Sequence, residues 1–215
     1  MEHADARAEI CRLGKSLFDR AYLHGTTGNI SIKLDRGYLI TPTDACLGFL
    51  DPDELSLVDE NGVQVAGARA SKTLALHRRI YTADPAAVCI IHTHSRELVL
   101  ASLTTTPGQD LVPPITPYFV MKVGHVPLIP YAAPGDEITA RRTEQAIATA
   151  ASIGTPIRAV MLDRLGPNVW NTTPARAMAT LEELEETALL WNRAHPPPLD
   201  STSIQELRDR FGAFW

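Results

Sequence analysis

Two histidines separated by one residue are the sharpest chemical feature of this sequence. His92 and His94 lie at the end of the apolar, β-branched segment Ala87–Thr93, which is typical of a buried strand. Residues two apart on a strand project from the same face, so the two imidazoles could hold one divalent metal ion. An isolated H-x-H pair is equally compatible with a polar strand end that faces solvent. A metal would need a further ligand, and His125 is the best placed of the other histidines, although its spacing is not characteristic.

Three short segments rich in glycine, threonine and serine could bind an anion. They are Gly25–Asn29, Thr41–Asp44 and Ala70–Thr73. Glycine turns and helix N-termini present free backbone N–H groups, but each segment is also compatible with an ordinary turn or N-cap. Lys72 lies in the first turn of the helix predicted from Ser71, where it opposes the helix dipole. This position requires a charged partner or a substrate.

The composition excludes several classes of protein. The 215 residues are 45% hydrophobic and 21% charged, a globular balance that excludes disorder and collagen. The formal charge of −5 lacks the basic footprint of a nucleic-acid-binding protein. The sequence has no apolar run near the roughly 20 residues of a membrane span, and its acidic N-terminus lacks the pattern of a signal peptide. With three widely spaced cysteines, these features predict a cytoplasmic protein with reduced thiols.

Hydrophobic periodicity predicts the helices and strands that position these residues. The predicted helices are Asp5–Leu23, Ser71–Tyr81, Ser95–Leu103, Asp136–Ile153 and Thr173–Asn192. The predicted strands are Ile30–Leu34, Tyr38–Thr41, Leu55–Val58, Val63–Val65, Ala87–Thr93, Val126–Ile129, Ile157–Leu162 and Asn168–Trp170. A proline-rich loop is predicted over Pro107–Pro117. Together these elements predict a mixed, largely antiparallel sheet with helices on both faces.

The triple proline Pro196–Pro198 is the one break in composition along the chain. It divides residues 1–195, predicted to form a single domain, from a C-terminal tail over residues 196–215. We expect this tail to be a helical segment that packs on the domain, although Trp215 and its neighbours could instead pack on a second subunit.

The separate motifs occur in an order that is typical of one family. Along the chain they read G-T-T-G-N-I-S, I-T-P-T, S-K-x-x-x-x-H-x-x-I-Y, H-T-H, T-P-Y, V-P-L-I-P-Y, L-G-P and L-E-E-L-E-E-T-A. This series resembles the class II aldolase and adducin family over about Ile10–Phe211, and within it the decarboxylase branch. Each motif alone is weak, but the shared order and spacing make the resemblance specific.

The resemblance implies a three-layer α-β-α sandwich that assembles as a homotetramer with active sites between subunits. It also implies zinc or another divalent metal held by three histidines, of which the first two correspond to His92 and His94. The substrate or its phosphate would be bound by Thr26, Gly28, Asn29, Thr43, Asp44, Ser71 and Lys72. Tyr118 would serve a neighbouring subunit as acid or base, although the residue alone is equally compatible with a packing role.

Three positions depart from the family pattern. Leu165 stands where the third metal-binding histidine is expected, and leucine cannot ligate a metal. Thr73 stands at the position of a catalytic glutamate, and Asp44 replaces a glycine of the phosphate cradle. A carboxylate about 4 Å from a phosphate is repulsive by ~1–4 kcal/mol, depending on the effective dielectric. Asp163 could complete a metal site, and Lys72 could stabilise an oxyanion without metal or pair with Asp44.

These features support three functional hypotheses. The first is a carbon–carbon lyase that decarboxylates a small 3-oxo sugar acid, phosphorylated or not, through a metal-stabilised enediolate. Lys72, Thr73 and Tyr118 would be its catalytic residues. The second is a metal-independent enzyme with a non-phosphorylated substrate. The third is a non-catalytic family member used for binding or assembly.

Overall fold

The computed structural model describes residues 3–215, and these residues form one eight-stranded sheet with helices around it. Its strands are β1 (Asn29–Lys33), β2 (Tyr38–Ile40), β3 (Ser56–Val58), β4 (Gln64–Ala66), β5 (Cys89–His92), β6 (Leu128–Ile129), β7 (Ala159–Leu162) and β8 (Gly166–Asn171). They lie in the order β4-β3-β2-β1-β5-β8-β7-β6. Every neighbouring pair is antiparallel except β6 and β7, which are parallel. The prediction of a mixed, largely antiparallel sheet is therefore confirmed.

Seven α-helices among the described residues form a layer on each face of this sheet. They are α1 (Ala4–Asp19), α2 (Leu74–Ala83), α3 (Arg96–Ser102), α4 (Pro117–Lys122), α5 (Glu137–Ser152), α6 (Pro174–Ala194) and α7 (Ser201–Phe211). Helices α2 and α5 cover one face, whereas α1, α3 and α6 cover the other. This arrangement is the three-layer α-β-α sandwich that the resemblance implies. None of the described helices combines the length and apolar character needed to cross a bilayer.

Alternation along the central strands separates two hydrophobic layers. Ile30, Ile91 and Val169 are fully buried beneath α1, α3 and α6. Ile90 and Trp170 are fully buried on the opposite face, beneath α2 and α5. Because side chains alternate between the faces of a strand, β5 contributes to both layers and is apolar almost throughout.

The ends of two helices differ from the predicted ones. α1 ends at Asp19 rather than at Leu23, because Ala21 has a positive φ of 60° that no right-handed helix can include. α2 begins at Leu74 rather than at Ser71. Lys72 therefore precedes the helix and does not lie in its first turn, where the sequence predicted it.

Helix α4 begins at the last residue of the segment predicted as a loop. The side chain of Thr116 accepts a hydrogen bond from the Phe119 N–H, and Pro117 occupies the first turn. The same Thr-Pro signal opens α6, where Thr173 accepts from the Arg176 N–H. A six-residue helix is too short to show apolar periodicity, so α4 can be predicted from the sequence only by its capping residues.

The C-terminal helix α7 packs against α4. Val120, Leu207 and Ala213 form a small buried cluster between them. Trp215 stacks on His125 with ring centroids 4.2 Å apart and also lies 5.5 Å from the ring of Phe119. The tail therefore covers α4 within the same chain.

We expect Gly166→Ala to lower the free energy of unfolding by about 3 kcal/mol or more. Gly166 opens β8 with a φ of 147°, and a Cβ atom at this position would overlap the Thr93 carbonyl oxygen. Gly154→Ala is the control, because Gly154 has a φ of 80° but open space around its Cβ position. Backbone strain alone should cost this control about 1–2 kcal/mol. Urea denaturation measures both losses, and equal losses would contradict the close approach at Gly166.

Candidate active site

A row of three polar side chains crosses the sheet where β5 ends. His92, the last residue of β5, pairs with Asn29 of β1 on one side and with Asn168 of β8 on the other. Directly paired residues of antiparallel strands project from the same face, with Cβ atoms ~4.5–5.5 Å apart. All three residues are buried, and they lie on the face covered by α2 and α5. We call Asn29, His92 and Asn168 the polar row.

Two glycines allow neighbouring segments to approach the backbone around His92. Gly28 has a φ of 83°, and a Cβ atom there would lie only 2.8 Å from the His92 carbonyl oxygen. Gly166 approaches the next carbonyl oxygen, that of Thr93, so closely that no side chain fits. The glycines of the G-T-T-G-N and L-G-P motifs therefore serve backbone packing around the end of β5.

The ring of His92 is fixed in one tautomer. Its Nδ1–H donates a hydrogen bond of 2.8 Å to the Pro167 carbonyl oxygen, which can only accept. Burial, reinforced by the nearby His94, lowers the pKa of His92 to about 4 despite this hydrogen bond. The neutral ring therefore keeps an unprotonated Nε2, the form in which a histidine can bind a metal ion or accept a hydrogen bond.

The donors present do not fit a three-histidine metal centre. The rings of His92 and His94 lie 5.1 Å apart, and burial lowers the pKa of His94, so both favour the neutral, ligating form. The third family position, Leu165, is apolar and packs against the core under α2 and α5. Among the described residues, no cluster of three histidine, cysteine, aspartate or glutamate side chains could hold a metal ion. Asp163 therefore does not complete such a cluster.

His125, considered above as a third ligand, is occupied elsewhere, and that expectation is wrong. Its Nδ1 lies 2.6 Å from the Asp110 carboxylate, and its ring stacks on Trp215. It does not line the cleft that contains His92.

Hydrogen bonds join two of the three segments predicted to bind an anion, and they connect the residue that follows the other segment to the same loop. The Ile30 N–H donates to the Thr41 hydroxyl oxygen at 3.2 Å, and the Ser71 N–H donates to the Thr41 carbonyl oxygen at 3.3 Å. The hydroxyls of Ser71 and Thr73 lie 2.7 Å apart. Ser71 therefore supports the turn before α2 rather than acting as the N-cap of the helix.

Asp44 occupies a glycine-like backbone position in the second of these segments. Its φ is 58°, in the left-handed region that favours glycine, asparagine and aspartate. Its side chain is exposed, and among the described residues it forms no ion pair with Lys72. The pairing of Lys72 with Asp44 considered above is therefore absent from this chain's structure.

A cleft of about 330 Å³ opens above the polar row, between α2, α5 and the segment that joins β6 to α5. This volume is at the lower end of the range for small-molecule sites. Of the predicted site residues, Lys72, Thr73 and His92 line it, as do Leu165 and the unpredicted Asn168. The cleft therefore brings Lys72, Thr73, His92 and Asn168 together. A second cation and three carboxylates also line it, namely Arg79, Asp136, Glu137 and Asp163.

The other predicted site residues lie outside the lining of this cleft. Gly28 and Asn29 adjoin His92 through the backbone and the polar row, and His94 follows β5. Thr26, Thr43, Asp44 and Ser71 lie in the connected loops at the same end of the sheet. Tyr118 is 59% exposed on α4, where the Lys122 ammonium lies 5.2 Å from its ring centroid.

Sequence reasoning missed two polar residues next to His92. Asn168 is only 1% exposed and lines the cleft, yet both atoms of its amide lack a hydrogen-bond partner. His77 is fully buried, and its Nδ1 lies 2.8 Å from the Ser31 hydroxyl. A buried asparagine beside the apolar residues Val169 and Trp170 of the same strand is the signal that could have identified Asn168.

Comparisons with known proteins agree with this geometry. The model of the class II aldolase and adducin N-terminal domain family matches residues 8–191. A protein from Cupriavidus necator named 3-oxo-tetronate 4-phosphate decarboxylase is 48% identical, over 97% of this chain and 97% of its own length. A protein of the same name from Pectobacterium atrosepticum is 43% identical over 86% of this chain and 83% of its own length. The crystal structure of YgbL from Escherichia coli superposes with a TM-score of 0.85 at 36% identity, covering 95% of this chain and 98% of that one.

Leu165→Val and Leu165→His test the incomplete donor set. We expect Leu165→His to bind zinc about tenfold or more tightly than the parent chain, because it adds a third imidazole near His92 and His94. Leu165→Val is the apolar control and should bind no more zinc than the parent. Zinc per subunit after equilibration with a competing chelator measures the effect. If Leu165→His gained nothing, or if its gain survived an added His92→Ala change, the position would not face the histidine pair.

The pH dependence of stability should report the burial of His77. Burial, aided by the charge of His92 and opposed by Asn168, lowers the pKa of His77 from 6.5 to about 3. Between these values the unfolded chain binds a proton that the folded chain does not, so stability falls as the pH falls through that window. This effect should cost about 2 kcal/mol between pH 6.5 and pH 5, and His77→Gln should remove it from the pH dependence. Urea denaturation at both pH values measures it, and parallel losses in the two proteins would contradict the assignment.

Proposed function

Because the chain belongs to the class II aldolase and adducin family, we propose that it is a decarboxylase of a phosphorylated four-carbon 3-oxo sugar acid. The observation that carries this proposal is the relative named 3-oxo-tetronate 4-phosphate decarboxylase, which is 48% identical over almost the whole of both chains. The family identified from the ordered motifs is confirmed, and the predicted carbon–carbon lyase class agrees with the names of these relatives.

The reaction explains why a threonine can occupy the position of the catalytic glutamate. In a 3-oxo acid the bond between C1 and C2 breaks, carbon dioxide leaves, and the electron pair of that bond forms an enolate on the C3 oxygen. A proton then returns to C2. No base has to remove a proton from carbon, so Thr73 needs only to bind or orient, which its hydroxyl can do beside Ser71.

Lys72 is the cation that we assign to the developing enolate oxygen. It lines the cleft together with His92, and among the described residues it has no ion-pair partner that would neutralise it. Lys72 is exposed. An ammonium beside a developing oxyanion is most stabilising when a bound substrate excludes water from the site. The same charge would help to admit a substrate that carries a carboxylate and a phosphate.

The connected loops are the place that we assign to the phosphate. Thr26, Thr43 and Ser71 offer hydroxyl groups, and the positive-φ turns at Gly25 and Gly28 expose backbone N–H groups. The Asp44 carboxylate opposes an anion, but its exposure to solvent screens this repulsion. The loops would therefore hold the phosphate more weakly than loops without the carboxylate.

Three further assignments extend this proposal. Tyr118, exposed on α4 and outside its own cleft, would supply the proton in the cleft of a neighbouring subunit within a homotetramer. The chain would act in the cytoplasm. The divalent metal that the resemblance implies would be held by His92 and His94 alone, with lower affinity than in a three-histidine site. The incomplete donor set favours the metal-independent hypothesis over the metal-dependent one. Lys72, which lines the cleft, favours the metal-independent hypothesis over the non-catalytic one.

Release of carbon dioxide from 3-oxo-tetronate 4-phosphate, followed by a coupled carboxylase assay, tests the proposal. We expect turnover by the parent chain, and a loss of about 10²–10³ in kcat for Lys72→Met because one charged stabiliser of the oxyanion is removed. Lys15→Met, which alters an exposed lysine paired with Asp19 on α1, should retain parental turnover. Absence of turnover in the parent would refute the proposed reaction, and full activity of Lys72→Met would refute the role of the lysine.

Metal content separates the two versions of the mechanism. Protein purified without chelators should carry well below one metal per subunit, since two imidazoles provide half of a tetrahedral donor set. His92→Ala is the matched control for specific binding. One full equivalent that His92→Ala abolishes would contradict the weak site that we assign.

A further inference from the structure

Unpaired buried polar atoms are concentrated in one place in the described chain. Five buried side-chain atoms lack a hydrogen-bond partner there, and four of them belong to Asn29, His77 and Asn168. Each such atom ordinarily costs about 1–3 kcal/mol, so native proteins rarely keep several together without a purpose. The cluster adjoins His92 and the cleft, which points to a bound group that completes these hydrogen bonds.

The direction of the hydrogen bonds below the cluster follows from Tyr81. Its hydroxyl lies 3.0 Å from the Ser31 carbonyl oxygen and 3.3 Å from that of Val88, and only the hydroxyl can donate to these acceptors. The Ser31 hydroxyl, 2.8 Å from the tyrosine oxygen, then donates to it. Ser31 must therefore accept from His77, whose Nδ1 lies 2.8 Å away.

These hydrogen-bond directions leave Nε2 of His77 as an acceptor, and it faces the amide of Asn168. His77 is neutral and carries its one proton on Nδ1, so its Nε2 requires a donor. Asn168 lies next to the His77 ring, although its amide falls short of full hydrogen-bond geometry. The amide nitrogen is the group that satisfies His77, and the opposite end, Oδ1, is left for the cleft.

The polar row consequently contains three side-chain acceptors, two of which belong to residues that line the cleft, His92 and Asn168. Oδ1 of Asn29 has no partner, and Nε2 of His92 carries no proton because Nδ1 donates to Pro167. Oδ1 of Asn168 is the third acceptor. Leu162 and Leu165, which line the same cleft, offer nothing that could donate, whereas Lys72, Thr73 and Arg79 in that lining can donate. A ligand that satisfies Nε2 of His92 and Oδ1 of Asn168 must bring donors to them, as the hydroxyl groups of a sugar acid do.

We propose that Asn168 is a substrate-specificity residue whose amide oxygen accepts a hydrogen bond from a chain hydroxyl of the sugar acid. This inference deepens the proposed function and rests on it for the class of ligand. A buried acceptor that is satisfied only by a substrate hydroxyl rejects an analogue without that hydroxyl, because the acceptor would then stay unpaired. Leu165, three residues earlier on the same turn into β8, supplies the apolar wall against which the carbon chain would lie.

Titration calorimetry with two unreactive ligands tests this role. Erythronate 4-phosphate carries chain hydroxyls but no ketone, so it cannot lose carbon dioxide, and 4-phosphooxybutanoate is the same chain without those hydroxyls. The parent should bind the hydroxylated ligand about tenfold or more tightly than the deoxy ligand. In Asn168→Leu this preference should fall to about twofold or less, with the affinity for the deoxy ligand nearly unchanged.

Two further variants keep the test decisive. Asn168→Val is a second apolar replacement that suits a strand, in case the leucine variant does not fold. Thr143→Val removes the one unpaired buried polar atom outside the cluster, on α5 and away from the cleft lining, and should keep the parental preference. Zinc content is measured for each protein as a separate readout.

The outcomes separate this inference from the proposed function. A parent without preference for the hydroxylated ligand, or apolar variants that keep it, would overturn the role of Asn168 whatever the turnover assay gives. Loss of bound metal with an unchanged preference would also overturn it, since the amide would then serve a metal. Loss of the preference in both apolar variants supports the inference. If the parent also showed no turnover, the decarboxylase assignment alone would be refuted.

Discussion

Close backbone packing around the end of β5 is the constraint on which the rest of the site depends. Gly28 brings the first loop onto the His92 carbonyl, and Gly166 brings the start of β8 onto the Thr93 carbonyl. Because both approaches exclude a Cβ atom, the strands on either side of β5 are held in one register. That register places Asn29 and Asn168 beside His92, so the composition of the polar row follows from two positions that carry no side chain.

The polar groups beneath the cleft also depend on this packing. His77 reaches across from α2 to the Ser31 hydroxyl of β1, and Tyr81, one helical turn later, reaches the same hydroxyl. Burial keeps His77 neutral, and a neutral ring has one donor and one acceptor in fixed places. The arrangement behind the cleft is therefore ordered by hydrogen bonds, whereas the cleft side of the polar row is left unsatisfied.

The sequence predicts the helices and strands well, but it does not predict which residues of neighbouring strands lie side by side. Alternation identified the central strands and periodicity the long helices, because both patterns record which face of an element is buried. The short helix α4 is not long enough to show apolar periodicity. The end of α1 depends on the backbone angles of Ala21, and the start of α2 depends on the turn before Leu74. Ordered motifs identified His92 and Lys72, which line the cleft. The place of Asn168 depends on strand pairing with β5, which periodicity within one strand does not encode.

The left-handed backbone at Asp44 restricts how this site could change during evolution. At a φ of 58° glycine, asparagine and aspartate are the residues that the chain accepts readily, and aspartate is the one of the three that carries a charge. The loop can therefore acquire a negative charge by a single tolerated substitution, whereas lysine or arginine would meet backbone strain. Variation among these three residues can therefore add or remove a negative charge beside the anion, but it cannot add a positive one.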